Sequence, residues 1–236
     1  MEWNCPELGV VVKSLENRDV RTRLSDLPPK LRLGEATIFK MVKLAAELND
    51  VERSVLAFWS YHFLLRVQSE AVPLEAGAPA NAQDKLQEDC HSAVWVSESR
   101  IYMRLRRRKH RPQGSLLIRE CCCDSYPGVF CPGHRGSLRH SLPGQVLFPG
   151  MTSNIAKKKL IKYLTLLDVP AAATATLKSF RSSKATNLAL SGRPLPYVLA
   201  AGEWKSAAVM NSVDESAFDK GAFLRQAIEN SSDEES

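Results

Sequence analysis

The chain has 236 residues, of which 44% are hydrophobic and 25% are charged, enough to bury one sizeable core. Its formal net charge is +6 and its pI is near 9.0, so we expect an anionic partner, with nucleic acid as the first candidate. No apolar run approaches the roughly 20 residues of a membrane span, and residues 1–6 lack the basic and apolar regions of a secretory signal. We therefore expect an intracellular protein that does not insert into a membrane.

The first half of the chain predicts two helices followed by strands. Apolar residues recur at helical spacing through 35–49 and, more densely, through 51–66. The stretch 76–82, which contains Ala, Gly, Pro and Asn, predicts a loop. Alternating apolar residues through 94–104 predict β-strands, and 115–121 predicts a further strand.

The second half has mainly helical patterns. An irregular stretch rich in Cys, Pro and Gly (121–142) precedes a predicted helix at 154–167, for which Thr152 or Ser153 can be the N-cap. The remaining predicted helices cover 175–190, the stretch from Pro194 to a stop at Gly202, 207–213 and 217–228.

These elements predict an α+β fold that is mostly helical and carries a small antiparallel sheet or hairpin. We expect an N-terminal lead-in segment at 1–34 and a folded domain at 35–228. An acidic, Ser-rich tail at 229–236 is predicted to be disordered.

The cysteines form a candidate metal site. Six cysteines in an intracellular chain are expected to be reduced or metal-bound rather than in disulfides. Cys121, Cys123, Cys131 and His134 make a Cys3His set of the kind that holds structural zinc, which would fix a loop that has little else to hold it. The alternative is a group of reduced cysteines at a strand end with an unrelated histidine nearby.

Four short motifs spread over 35–228 form a set. Leu-Arg ending at Arg66 is followed closely by a glutamate, and Lys109 lies in a basic stretch between two predicted strands. Lys-Ser-Phe-Arg ends at Arg181, and Gly-Glu-Trp ends at Trp204, 23 residues further on. This set resembles the catalytic domain of the tyrosine recombinases, the phage-integrase family, and is most similar to recombinases of crypton- and DIRS-type mobile elements of protists.

The resemblance implies a role for each matched residue. Arg66 and Arg181 would hold oxygens of the scissile phosphate, because a planar guanidinium matches two phosphate oxygens. Lys109 would protonate the leaving oxygen, and Trp204 would donate its indole N–H to the phosphate. Lys178 stands where many members have histidine, and a charged lysine cannot accept a proton. Taken alone, Arg66 also fits a helix C-terminal cap and Trp204 a core aromatic.

The nucleophile of this family is missing. It is a tyrosine that follows the Gly-x-Trp motif and forms a 3′-phosphotyrosyl link to DNA. The chain has no tyrosine after Tyr197, and Ser212 or Val213 stands at the matching position. A serine is shorter than a tyrosine, and its hydroxyl is a poorer leaving group in the reverse step. We expect a diverged protein that cannot cleave DNA; the alternative is an enzyme that takes its nucleophile from another subunit.

The basic stretch 104–111 contains six Arg and Lys residues, which predicts a grip on the DNA backbone. The candidate DNA-binding residues are Arg104, Arg106, Arg107, Arg108 and Arg111. The same composition also fits a solvated charge run or a nuclear-localisation signal.

The resemblance therefore implies a DNA-binding protein related to site-specific recombinases, located in the nucleus and acting on double-stranded DNA as a homo-oligomer. Its chemistry would require no cofactor, and zinc would have a structural role only. The alternative is a non-enzymatic nucleic-acid or partner-binding module that uses the basic stretch and the Cys/His loop.

Overall fold

The computed structural model describes residues 31–77, 91–97, 99–106, 108, 111–121 and 141–204. Within them the fold is α+β, as predicted. The helices are α1 (Glu35–Glu47), α2 (Val51–His62), a π-helix (Val67–Ala71), α3 (Ser153–Leu166), a 3₁₀-helix (Ala172–Thr174), α4 (Lys178–Leu190) and α5 (Leu195–Gly202). The strands are β1 (Glu75–Ala76), β2 (Ala93–Ser97), β3 (Arg100–Leu105) and β4 (Ser115–Glu120). The predicted helices at 207–213 and 217–228 and the acidic tail lie outside the described residues.

Helices α1 and α2 confirm the two helices predicted from apolar spacing, and both end in the same way. The second residue after each helix, Asn49 for α1 and Leu64 for α2, has a left-handed backbone with φ of 57° and 52°. In the second turn, the Leu65 amide donates to the Ser60 carbonyl at 3.0 Å, which closes a Schellman motif. The prediction that α2 reaches Arg66 was wrong, because the turn at Leu64 redirects the chain first.

A π-helix follows this turn and was not predicted. The amides of Ala71 and Val72 donate to the carbonyls five residues back, at Arg66 and Val67, at 3.2 and 2.8 Å. A single π-turn has no distinct apolar period, so the sequence gives no signal for it. It places Glu70 on the buried side of the chain.

The sheet has the order β1-β2-β3-β4. Strands β2, β3 and β4 pair antiparallel, with Met103 opposite both Val94 and Leu117, as the alternating residues predicted. The sheet is mixed rather than purely antiparallel, because β1 pairs parallel with β2. With two residues, β1 is too short to show an alternation in the sequence.

The later helices follow their predicted caps. The Thr152 hydroxyl accepts a hydrogen bond from the Ile155 amide at 3.3 Å and caps α3. Helix α5 runs from Leu195 to Gly202, as predicted. Helix α4 begins at Lys178 instead of residue 175, because Ala175 has an extended backbone after the 3₁₀-helix.

One main core joins the inner face of the sheet to α1, α2, α3 and the start of α4. The packed chain begins before the expected boundary at residue 35: Leu33 is buried in this core, and its amide donates to the Ser183 hydroxyl at 2.9 Å. A smaller apolar cluster forms around Leu64, α4 and α5. No helix in the described part of the chain combines the length and the apolar character that crossing a bilayer requires.

Candidate phosphate-binding site

A buried glutamate gathers three arginines from distant parts of the chain. The Glu70 side chain is 1% exposed, and one of its carboxylate oxygens lies 3.3 Å from both Arg66 Nη1 and Arg108 Nε. Its other oxygen lies 3.9 Å from Arg181 Nη1. We call these four residues the Glu70 cluster. It brings together Arg66 and Arg181, the two arginines that the recombinase resemblance assigns to one phosphate.

Backbone geometry fixes Arg66 beside Glu70. The left-handed turn at Leu64 directs the chain into the π-helix, and the Arg66 amide then donates to Glu70 Oε2 at 2.9 Å. The Arg66 side chain remains 39% exposed. It is therefore the arginine of the Glu70 cluster that a ligand from solvent can reach most easily.

Arg108 reaches the cluster from the turn between β3 and β4. The amides and carbonyls of Arg108 and Arg111 bond reciprocally at 3.3 and 2.8 Å, which makes a tight turn. The chain re-enters β4 through Gly114, whose φ is +78° and where a Cβ would overlap the Leu105 carbonyl oxygen, so only glycine fits. The Arg108 side chain points inward and is 2% exposed.

Arg181 lies on α4 and connects the cluster to the end of α5. Its Nη2 donates to the Gly202 carbonyl at 2.8 Å, and its guanidinium lies 4.4 Å from the centre of the Trp204 ring, a cation–π contact. A Cβ at Gly202 would overlap the same ring, which explains the Gly-x-Trp spacing. The Nε and Nη1 atoms of Arg181 are buried and donate no hydrogen bond within the described structure.

The surroundings of Arg181 disfavour its charged form. Burial first, and then the charges of Arg108 and Arg66, lower the pKa of Arg181; Glu70 and Glu203 oppose the shift, and the net pKa is about 10. An anion beside the unused Nε and Nη1 donors would relieve both the missing hydrogen bonds and the repulsion.

A second carboxylate, Glu203, stands next to the Glu70 cluster. It accepts hydrogen bonds from Ser115 Oγ at 2.6 Å and from Arg108 Nη1 at 2.7 Å, and Arg111 Nη1 lies 3.7 Å away. Burial alone would raise the pKa of Glu203, but these hydrogen bonds and the two arginine charges lower it overall. Glu203 has a left-handed backbone with φ of 50°, so its interactions outweigh the conformational cost of a non-glycine residue there.

The other candidate residues take different positions. Lys178 is exposed at the first turn of α4 and makes no side-chain hydrogen bond or ion pair among the described residues. In the basic stretch, Arg106 is exposed, Arg111 is half-exposed, and Arg104 is buried within β3. Lys109, Arg107 and Ser212 lie outside the described residues.

Of the four candidate zinc ligands, the described structure contains one. Of the Cys3His set, it contains Cys121, just after β4, and the other members, Cys123, Cys131 and His134, fall outside the described ranges. No group of three or more His, Cys, Asp or Glu side chains arranged for a metal ion occurs among the described residues.

Sequence reasoning missed the role of Glu203 and the inward direction of Arg108. Glu203 has no local signal apart from its place between the glycine and tryptophan of the Gly-x-Trp motif, and Arg108 is hidden in a run of similar residues. No protein-family model matches this chain, and no curated protein matches it. What the site binds must therefore be inferred from its own geometry and charge.

Proposed function

We propose that this protein binds the phosphate backbone of duplex DNA through Arg66 and Arg181 of the Glu70 cluster and has lost the ability to cleave it. The observation that carries the proposal is the convergence of Arg66, Arg108 and Arg181 on one carboxylate. The meeting of Arg66 and Arg181 supports the proposal, because the resemblance to tyrosine recombinases assigns both arginines to one phosphate.

The charge at the site favours an anion. Four guanidinium groups, those of the Glu70 cluster and Arg111, face the two carboxylates of Glu70 and Glu203. The positive charge is therefore in excess by two. A phosphodiester group carries one negative charge and several acceptor oxygens, and arginine binds it with two parallel N–H···O bonds.

The hydrogen-bond donors favour the same ligand. Arg66 is partly open to solvent, and Arg181 has two buried donors that no described residue satisfies. A buried, unsatisfied donor costs about 1–3 kcal/mol. A phosphate oxygen at this position would satisfy Arg181 and be held by Arg66 at the same time, as the resemblance implies for the scissile phosphate.

Three of the described tyrosines have partners outside the Glu70 cluster. Tyr61 accepts a hydrogen bond from Asn187 at 2.8 Å, Tyr163 donates to Asp50, and Tyr102 stacks on Trp95. Tyr197 is half-exposed, and Arg193 lies over its ring. Since the resemblance puts Ser212 or Val213, and no tyrosine, at the position of the nucleophile, we infer a binding protein rather than a strand transferase.

The test is binding to a random-sequence duplex over a salt series. Each lost phosphate contact lowers the slope of log K against log salt by about 1, so Arg66→Ala with Arg181→Ala should lower it by about 2. The matched control is Arg100→Ala, an exposed arginine at the opposite end of β3. The control should change the slope less than the double variant does.

Two outcomes would contradict the proposal. If the double variant binds with the wild-type slope, the Glu70 cluster is a structural ion network and the basic stretch carries the binding. If the wild type does not bind duplex at low salt, the protein has another partner. Intact wild-type protein should also leave a supercoiled plasmid uncut, and cleavage would refute the loss of catalysis.

A further inference from the structure

We infer that Arg108 does not contact DNA but is a positioning residue that anchors the turn between β3 and β4 to the Glu70 cluster. This inference rests on the proposed function, because it assigns the DNA contacts of the basic stretch to its exposed members. The evidence is the hydrogen bonding, the burial and the turn geometry of Arg108.

All three nitrogens of the Arg108 guanidinium are used inside the protein. Nε lies 3.3 Å from Glu70 Oε1, Nη1 donates to Glu203 Oε2 at 2.7 Å, and Nη2 donates to the Leu64 carbonyl at 3.3 Å. These acceptors come from the π-helix, the end of α5 and the turn after α2. One side chain therefore ties the turn between β3 and β4 to three other segments.

The turn geometry connects this anchor to the neighbouring basic residues. Because Arg108 and Arg111 are paired through their backbones, fixing the Arg108 side chain also fixes the position of Arg111. Arg111 then lies half-exposed beside Glu203, and Arg106 remains exposed. The inward arginine thus holds its neighbours at the edge of the site, facing solvent.

Only arginine can make this anchor. Its three acceptors surround a planar guanidinium, which offers five N–H groups in fixed directions. A lysine keeps the charge but presents one compact ammonium and cannot reach Glu70, Glu203 and Leu64 together. Arg108→Lys is therefore the discriminating change, and Arg106→Lys, in an exposed arginine of the same stretch, is its matched control.

Hydrogen exchange tests the anchor without any ligand. In Arg108→Lys, amides of 64–72 and 111–118 should exchange at least about tenfold faster, the effect of losing one charge-assisted hydrogen bond on local opening. Arg106→Lys should exchange like the wild type. If Arg108→Lys does not fold, Glu203→Gln removes one arm of the anchor and should accelerate the same segments. Unchanged exchange in the variant that folds would overturn the inference.

Duplex binding separates this inference from the proposed function. A residue that positions the turn acts through its exposed neighbours Arg106 and Arg111, so the affinity lost in Arg108→Lys should vanish in a background that already lacks both. A residue that contacts DNA itself should lose the same affinity in either background. If Arg108→Lys loses affinity and salt slope equally with and without Arg106 and Arg111, Arg108 is a DNA contact and the inference is wrong. If Arg66 and Arg181 do not matter for binding, the proposed function fails, and hydrogen exchange alone decides the role of Arg108.

Discussion

Glu70→Gln should change stability and anion affinity in opposite directions. The Glu70 carboxylate is almost fully buried among three guanidinium groups. The amide has nearly the same shape but carries no charge, so the cluster would keep its volume and lose its central counterion. A site built to hold an anion should become less stable when empty and bind its anion more tightly.

The structure sets the size of both effects. Removing one partner of a buried ion pair costs about 3–5 kcal/mol; because Arg66 is partly solvated and Arg108 keeps Glu203, we expect about 3 kcal/mol. Two unit charges about 5 Å apart interact by roughly 3 kcal/mol at an effective dielectric constant of 20. After screening at the open side of the site, the loss of repulsion from Glu70 should increase phosphate affinity by about tenfold.

Urea unfolding measures the first effect, and melting temperature against inorganic phosphate concentration at constant ionic strength measures the second. The control is Glu47→Gln, an exposed glutamate paired with Lys43 at 3.8 Å on α1, which should change stability by less than about 0.5 kcal/mol. Equal stability of Glu70→Gln and this control would contradict the expected loss. An equal rise of both melting temperatures with phosphate would contradict the expected gain in affinity, since that would be a general salt effect.

Three further predictions concern the scaffold. Burial lowers the pKa of His62 to about 3. Because the unfolded chain therefore binds more protons than the folded chain, the free energy of unfolding should fall by about 2 kcal/mol from pH 7 to 5. Urea titrations should show a smaller fall in His62→Gln. Ala171 has a left-handed backbone with φ of 57°, so Ala171→Gly should raise the melting temperature and the free energy of unfolding, the latter by about 1 kcal/mol. Ala173→Gly, in the adjacent 3₁₀-helix, should lower the melting temperature. A lower melting temperature in both variants would contradict this prediction. Thr152→Ala removes the cap of α3 and should cost about 1 kcal/mol in thermal unfolding, whereas Thr152→Ser should be close to neutral.

The helices were predictable because their signals are local. Apolar spacing locates α1 and α2, a Thr cap locates α3, and a Pro start with a Gly stop locates α5. The predicted helix ends were wrong where the backbone adopts a conformation that the residue types do not indicate. Leu64 adopts a left-handed turn normally given to glycine, and the π-helix after it has no periodic signature.

The site was predictable only in part, for a different reason. The meeting of Arg66 and Arg181 was expected from the resemblance alone, since no property of either residue indicates a partner so far along the chain. Arg108 and Glu203 are separated by 95 residues, and each is of a type that is usually exposed. Which arginine of a basic run turns inward depends on the acceptors that the rest of the fold presents, and these exist only after folding.

Arg108 and Arg181 differ in how far the described structure satisfies their hydrogen-bond donors. A network that serves stability alone tends to satisfy its donors, because each buried unmet one costs free energy. Arg108 follows that rule, with all its nitrogens bonded. Arg181 does not: among the described residues it donates one hydrogen bond, to Gly202, while its buried Nε and Nη1 donate none, although Nη1 lies 3.9 Å from the Glu70 carboxylate. The protein itself satisfies the hydrogen-bond donors of Arg108, whereas an anion would satisfy the remaining donors of Arg181. We therefore expect substitution of Arg181 to weaken anion binding directly, and substitution of Arg108 to act through the protein structure.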